Sequence, residues 1–185
     1  MATLDTGSVG LALGSSIIDF AIRGVDGKTY EPRSFADKKA LVVVFSCNHC
    51  PYVQAYETRM VELQQDYQHS GVTLVAINSN DENGYPEDSF SNMVKRAREK
   101  GFNFPYLRDE TQDIARRYGA ICTPHCFAFD NKRVLHYKGR IDDNWRNPEQ
   151  VKTPDLRNAL DAILVGKAPT VQETRPYGCS IKWKH

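Results

Sequence analysis

One segment constrains this chain more than any other: Leu41-Val42-Val43-Val44-Phe45-Ser46, followed directly by Cys47-Asn48-His49-Cys50-Pro51. The apolar run does not alternate, as expected of a central strand covered on both faces. Beyond it, Val53, Tyr56, Met60, Leu63 and Tyr67 recur at helical spacing and predict a long amphipathic helix over residues 52–68. Two cysteines at i and i+3 therefore stand between a buried strand and a helix start. The unpaired N–H groups and partial positive charge of a helix start stabilise a thiolate. On this reading Cys47, at the exposed end, is the nucleophile. Cys50 lies one turn deeper and resolves the mixed disulfide.

The rest of the chain supplies a frame for that pair. Residues 17–22 alternate like a strand, Asp26-Gly27 signals a turn, and residues 29–31 form a return strand, so a hairpin is expected before the central strand. Residues 72–77 read as a second buried strand, and Phe90, Met93, Val94 and Ala97 as a second helix. A short strand is expected at 104–107 and a short helix at 111–118, stopped by Gly119. Residues 126–129 and 133–138 read as an antiparallel hairpin turning at Asp130-Asn131-Lys132. Thr153 as N-cap and Pro154 as first helical residue open a last helix, ended by Gly166. The expected order is βαβα(β)αββα after the N-terminal hairpin: an α/β fold with a mixed central sheet flanked by helices.

At 185 residues the chain is expected to form a single domain over 1–185, with a loose segment at 1–16 and a tail at 167–185. Lys plus Arg number 24 and Asp plus Glu 23, a balance that offers no electrostatic footprint for nucleic acid or an anionic membrane. No apolar run is long enough to span a bilayer. The first sixteen residues have no basic leading region and no long apolar stretch, so no secretory signal is expected and the cytoplasm is the expected compartment.

Five cysteines, Cys47, Cys50, Cys122, Cys126 and Cys179, do not suggest a disulfide framework. A zinc site is the competing reading of the first pair, with His49, His125 and Cys122 as further donors. Cys122-x3-Cys126 is a poor second ligand pair, so redox chemistry is preferred, with no metal and no cofactor. Cys122 and Cys126 are expected to pack as small hydrophobes, although Cys122 stands near enough to the pair to join its chemistry. His125 is expected to be structural, Phe102, Phe104 and Tyr106 to enter the core, and the Asp142-Asp143 pair to be solvated.

The strand Leu41-Val42-Val43-Val44-Phe45, Cys47 through Pro51, the long helix, Thr123-Pro124 and the closing hairpin together resemble the thioredoxin-like superfamily, over roughly residues 17–165. The similarity is greatest to its peroxiredoxin-like, redoxin-domain branch, in which Cys-Asn-His-Cys-Pro and a C-terminal Gly-Cys-Ser-Ile-Lys-Trp-Lys (residues 178–184) are familiar. The resemblance implies a thioredoxin-like fold and a cis Thr123–Pro124 bond whose backbone binds an extended substrate segment. It also implies thiol or disulfide substrates and an external dithiol reductant such as a thioredoxin-type protein.

Departures from the family patterns refine this. Ser46 replaces the tryptophan that precedes the first cysteine in thioredoxins proper, and residues 40–46 lack their buried carboxylate. His49, before the second cysteine as in disulfide isomerases, would stabilise a Cys47 thiolate. Peroxiredoxins carry Pro-x3-Thr-x2-Cys. Here Cys47 takes the threonine's place, and Pro124 takes the place of the distal arginine, leaving Arg140 or Arg108 as substitutes. A peroxidase with Cys50 peroxidatic and Cys47 resolving is thus one alternative, and a zinc-stabilised or redox-inert peptide-binding module another. In the tail, Ile181 and Trp183 are expected to dock on the domain and Gly178 to permit a sharp turn. Cys179 is either packed there or a third redox thiol.

Overall fold

The computed structural model describes residues 10–184. In chain order the strands and helices are β1 (Ile22–Gly24), β2 (Thr29–Tyr30), β3 (Ala40–Ser46), α1 (Pro51–Tyr67), β4 (Val72–Asn78), α2 (Phe90–Glu99), β5 (Tyr106–Arg108), α3 (Asp113–Tyr118), β6 (Cys122–Thr123), β7 (His125–Phe129), β8 (Leu135–Gly139), α4 (Asp155–Leu164) and β9 (Cys179–Ser180). Seven strands form one sheet in the order β2-β1-β5-β4-β3-β7-β8. β3 is central, parallel to β4 and antiparallel to β7. Every residue of β3 is buried, which is why its sequence does not alternate.

Alternate residues of β3 feed two cores. Ala40, Val42 and Val44 meet Val53, Tyr56, Met60 and Leu63 of α1 and Leu156 and Leu160 of α4 on one face. Leu41, Val43 and Phe45 meet Ile114, Ala115 and Tyr118 of α3 and Ile181 of the tail on the other. This is the thioredoxin-like α/β fold, its mixed sheet flanked by helices on both faces. Among the described residues no helix is long and apolar enough to cross a membrane.

Several expectations are corrected in detail. The first strand of the hairpin begins at Ile22, not at residue 17. It joins the main sheet by pairing with β5. Residues 10–16 are not loose: Leu11 is buried, its N–H donates to the Tyr118 carbonyl at 3.0 Å, and Gly14 N–H donates to the Leu135 carbonyl at 2.8 Å. Residues 1–9 lie outside the described residues. The β7–β8 turn runs further than expected, because Arg133 has φ +61° and the strand starts at Leu135. Pro154 is the N-cap of α4 rather than its first residue.

Asp142 is buried, not solvated. Its carboxylate accepts from Tyr56 Oη at 2.8 Å and Arg59 Nη1 at 2.7 Å, tying α1 to the chain beyond β8. The tail is docked as well, and it contributes β9, a strand too short for any period to announce. β9 pairs antiparallel with β6, Thr123 opposite Cys179 and Cys122 opposite Ser180.

Candidate active site

Cys47 leaves the end of β3 and Cys50 is the N-cap of α1, so a strand and a helix fix the pair. Thr123 closes over both. Its hydroxyl lies 3.3 Å from Cys47 Sγ, and its carbonyl oxygen accepts from Cys50 Sγ at 3.2 Å. The Thr123–Pro124 peptide is cis. The contrast in exposure on which the sequence reading relied is absent: Cys47 is 2% exposed and Cys50 0%.

Cys47 and Cys50 titrate as a pair, because the S–H of either stabilises the thiolate of the other. Contacts around them pull in opposite directions. The Cys47 thiol, and after it the thiol and N–H of Cys179, favour charge on Cys50. The Thr123 carbonyl opposes this, since an oxygen with only lone pairs to offer, 3.2 Å from sulfur, requires a proton between them. Thiol hydrogens rotate and a backbone carbonyl does not. The pair thus has two arrangements: Cys50 protonated toward the Thr123 carbonyl, with charge on Cys47 toward which the Thr123 hydroxyl can donate, or charge on Cys50, the sense that the thiols of Cys47 and Cys179 favour while Asp88 and burial hold the Cys47 thiol up.

A buried carboxylate does stand beside Cys47, brought there by a distant loop. Asp88 is fully buried and accepts from Asn48 N at 2.5 Å, His49 Nδ1 at 2.5 Å, Asn78 Nδ2 at 3.2 Å and Asn80 Nδ2 at 2.9 Å. Nothing local in the Tyr-Pro-Glu-Asp segment (residues 85–88) distinguishes this residue from its exposed neighbour Glu87, and sequence reasoning missed it. His49 stacks on Tyr85 at 5.2 Å and faces Asp88. Its ring lies within 4.8 Å of the Cys47 sulfur, on the same side as that carboxylate.

Donor atoms of Cys47, His49 and Asp88 lie within 4.8 Å of one another. Both Asp88 oxygens already accept two hydrogen bonds each, so the cluster is a saturated polar network rather than an open cation cage. The other donors of the zinc reading serve elsewhere. His125 packs on the Phe127 ring, and burial drives the Cys122 thiol up to about 12. Cys126 is fully buried in the core. Of the arginines considered for a peroxidase, Arg140 is held by Asp155 at 2.6 Å and Tyr177 at 2.8 Å; Arg108 Nη1 donates to the Asp88 carbonyl at 3.4 Å, while its buried Nη2 has no hydrogen-bond partner among the described residues.

The tail completes the site. Cys179 stands across the β6–β9 ladder from Thr123 and packs against the core cluster that contains Cys47 and Cys50. Gly178 is required for close approach, not for a sharp turn: a Cβ there would lie 2.1 Å from the Thr123 oxygen. The edge of β6 expected to receive a substrate segment is occupied by the chain's own tail.

The two cysteines are held between β3, the start of α1 and a cis proline of a thioredoxin-like fold. Residues 12–160 match the Redoxin family, and the chain belongs to it. It is 37% identical to a hypothetical protein from Sinorhizobium meliloti 1021, with a TM-score of 0.89 over 95% of this chain and 96% of that one. It is 41% identical to an uncharacterized conserved protein from Geobacillus kaustophilus, again with a TM-score of 0.89, over 100% and 98% of the two chains. The thiol-disulfide oxidoreductase ResA of Halalkalibacterium halodurans is 26% identical over 106 residues, 57% of this chain and 56% of ResA; the match thus spans about half of that relative.

Proposed function

We propose that this protein is a thiol–disulfide oxidoreductase whose Cys47 and Cys50 cycle between dithiol and disulfide. The observation that carries the reading is Thr123, whose hydroxyl meets one sulfur and whose carbonyl meets the other. The likeness to ResA supports the same chemistry. The Cys47 thiolate attacks one sulfur of a substrate disulfide; the Cys47–substrate bond forms and the other substrate sulfur leaves as a thiolate. Cys50 then gives up its proton and attacks Cys47 Sγ, releasing the second substrate thiolate. Two electrons pass to the substrate, and protons follow to its thiolates. An external dithiol, such as a thioredoxin-type protein, restores the pair. The two thiols carry both electrons, and no cofactor enters the cycle.

A redox titration with peptide mapping tests this. The pair should interconvert with a potential between roughly −270 and −120 mV. Cys50→Ser should retain mixed disulfides at Cys47. If both thiols stay free at every ratio of oxidised to reduced glutathione, the reading is wrong.

A further inference from the structure

The pair that performs the exchange is sealed from solvent, at 2% and 0% exposure, whereas Cys179 is partly exposed. Cys179 is not a loose end. It lies in β9, in register opposite the residue that holds both sulfurs of the pair. The tail is anchored on both sides of it. Before it, Tyr177 Oη accepts from Arg140 Nη1 at 2.8 Å. After it, Ile181 is buried in the core, Lys182 N–H donates to Asn80 Oδ1 at 2.9 Å, and the Lys182 carbonyl accepts from Gln112 Nε2 at 2.8 Å. This anchoring holds a partly exposed thiol opposite Thr123, whose carbonyl meets Cys50 Sγ, and packed against the core that contains Cys50.

We propose that Cys179 is a shuttle thiol, exchanging disulfide with Cys50 inside the site and with an external dithiol at the surface. The proposal rests on the redox reading of Cys47 and Cys50 and specifies how reducing equivalents reach them. Starting from the Cys47–Cys50 disulfide, the Cys179 thiolate attacks Cys50 Sγ. The Cys50–Cys179 bond forms, the Cys47–Cys50 bond breaks, and Cys47 leaves as a thiolate that takes up the proton Cys179 lost. A thiolate of the external dithiol then attacks Cys179 Sγ and expels Cys50, which is protonated. The second external thiol attacks the mixed disulfide and frees Cys179. Overall two electrons and two protons move from the external dithiol to Cys47 and Cys50, and Cys179 ends as it began.

The experiment uses the full chain. Cys47→Ser is treated with oxidised glutathione and mapped by non-reducing peptide mass spectrometry. Most chains should carry a Cys50–Cys179 cross-link. Recovery of the two cysteines only as free thiols or separate glutathione adducts would overturn the proposal. In a second arm, Cys179→Ser should still form the Cys47–Cys50 disulfide, but reduction of that disulfide by a reduced thioredoxin should slow at least tenfold. A rate equal to the parent's would overturn the shuttle. Cys122→Ser, the control, should reduce at the parent rate. Failure of the parent itself to form Cys47–Cys50 would sink the underlying redox reading. Formation of that disulfide without the cross-link would sink the shuttle alone.

Discussion

The carboxylate of Asp88 and the imidazole of His49 meet at 2.5 Å, side by side with the thiol of Cys47. After Cys50 itself and burial, this carboxylate is the influence that most disfavours a Cys47 thiolate. Asp88→Asn, tested with Cys50→Ser so that Cys47 titrates without its partner, should lower the pH midpoint of Cys47 alkylation by about one unit. An unchanged or raised midpoint, with near-UV circular dichroism unaltered, would show that Asp88 does not tune the thiol.

Thr123 acts in the opposite sense. Its hydroxyl is the contact that draws Cys47 toward the thiolate. Thr123→Val keeps the shape and removes the donor. The alkylation midpoint of Cys47 should rise by roughly half a unit to one unit. Disulfide exchange at neutral pH should slow severalfold.

Gly178→Ala would place a methyl group 2.1 Å from the Thr123 oxygen, where backbone cannot yield without parting β9 from β6. Mass-spectrometric alkylation should find Cys179 labelled at least tenfold faster than in the parent. Equal labelling rates would mean that the ladder does not hold Cys179.

Asp142→Ala would leave the Arg59 guanidinium, 12% exposed, without its carboxylate and would strip Tyr56 Oη of an acceptor. Breaking a buried ion pair from one side costs about 3–5 kcal/mol. Urea denaturation should show a loss of that size, while the potential of the Cys47–Cys50 pair should not move.

His125 supplies a pH dependence of stability. Burial, with Lys138 adding to it, drives its pKa from 6.5 down to about 4. The folded state thus holds the imidazole neutral where the unfolded chain would protonate it, so the unfolded state binds more protons between those values. Its contribution is complete above pH 6.5 and is lost as pH falls toward 4, by about 3 kcal/mol over the window. His125→Leu should flatten the parent's decline in urea midpoint between pH 6.5 and 4.5.

Much of the frame was legible because it is encoded locally. An unbroken apolar run marks a strand buried on both faces, and β3 is that strand. Apolar spacing of three and four marks a helix packed on one side, and Val53, Tyr56, Met60 and Leu63 all face the core. Gly119 stops α3 with φ +67°, a conformation that glycine adopts without strain. The cysteine pair was legible for the same reason, since strand, motif and helix are contiguous.

What decided the chemistry of the pair was not contiguous. Asp88 reaches Cys47 because the loop after β4 folds back over the end of β3, and a single buried acid carries no periodic signal. Cys179 reaches Thr123 because β9 pairs with β6, two strands of two residues each, too short for alternation to mark. Cys47 is buried, which reversed an expectation drawn from the helix start alone. Local sequence determined the elements and their thiols through periodicity, which is a property of neighbouring residues. Tertiary structure alone decided which carboxylate, which carbonyl and which third sulfur surround them, because those contacts join residues tens of positions apart that no local pattern links.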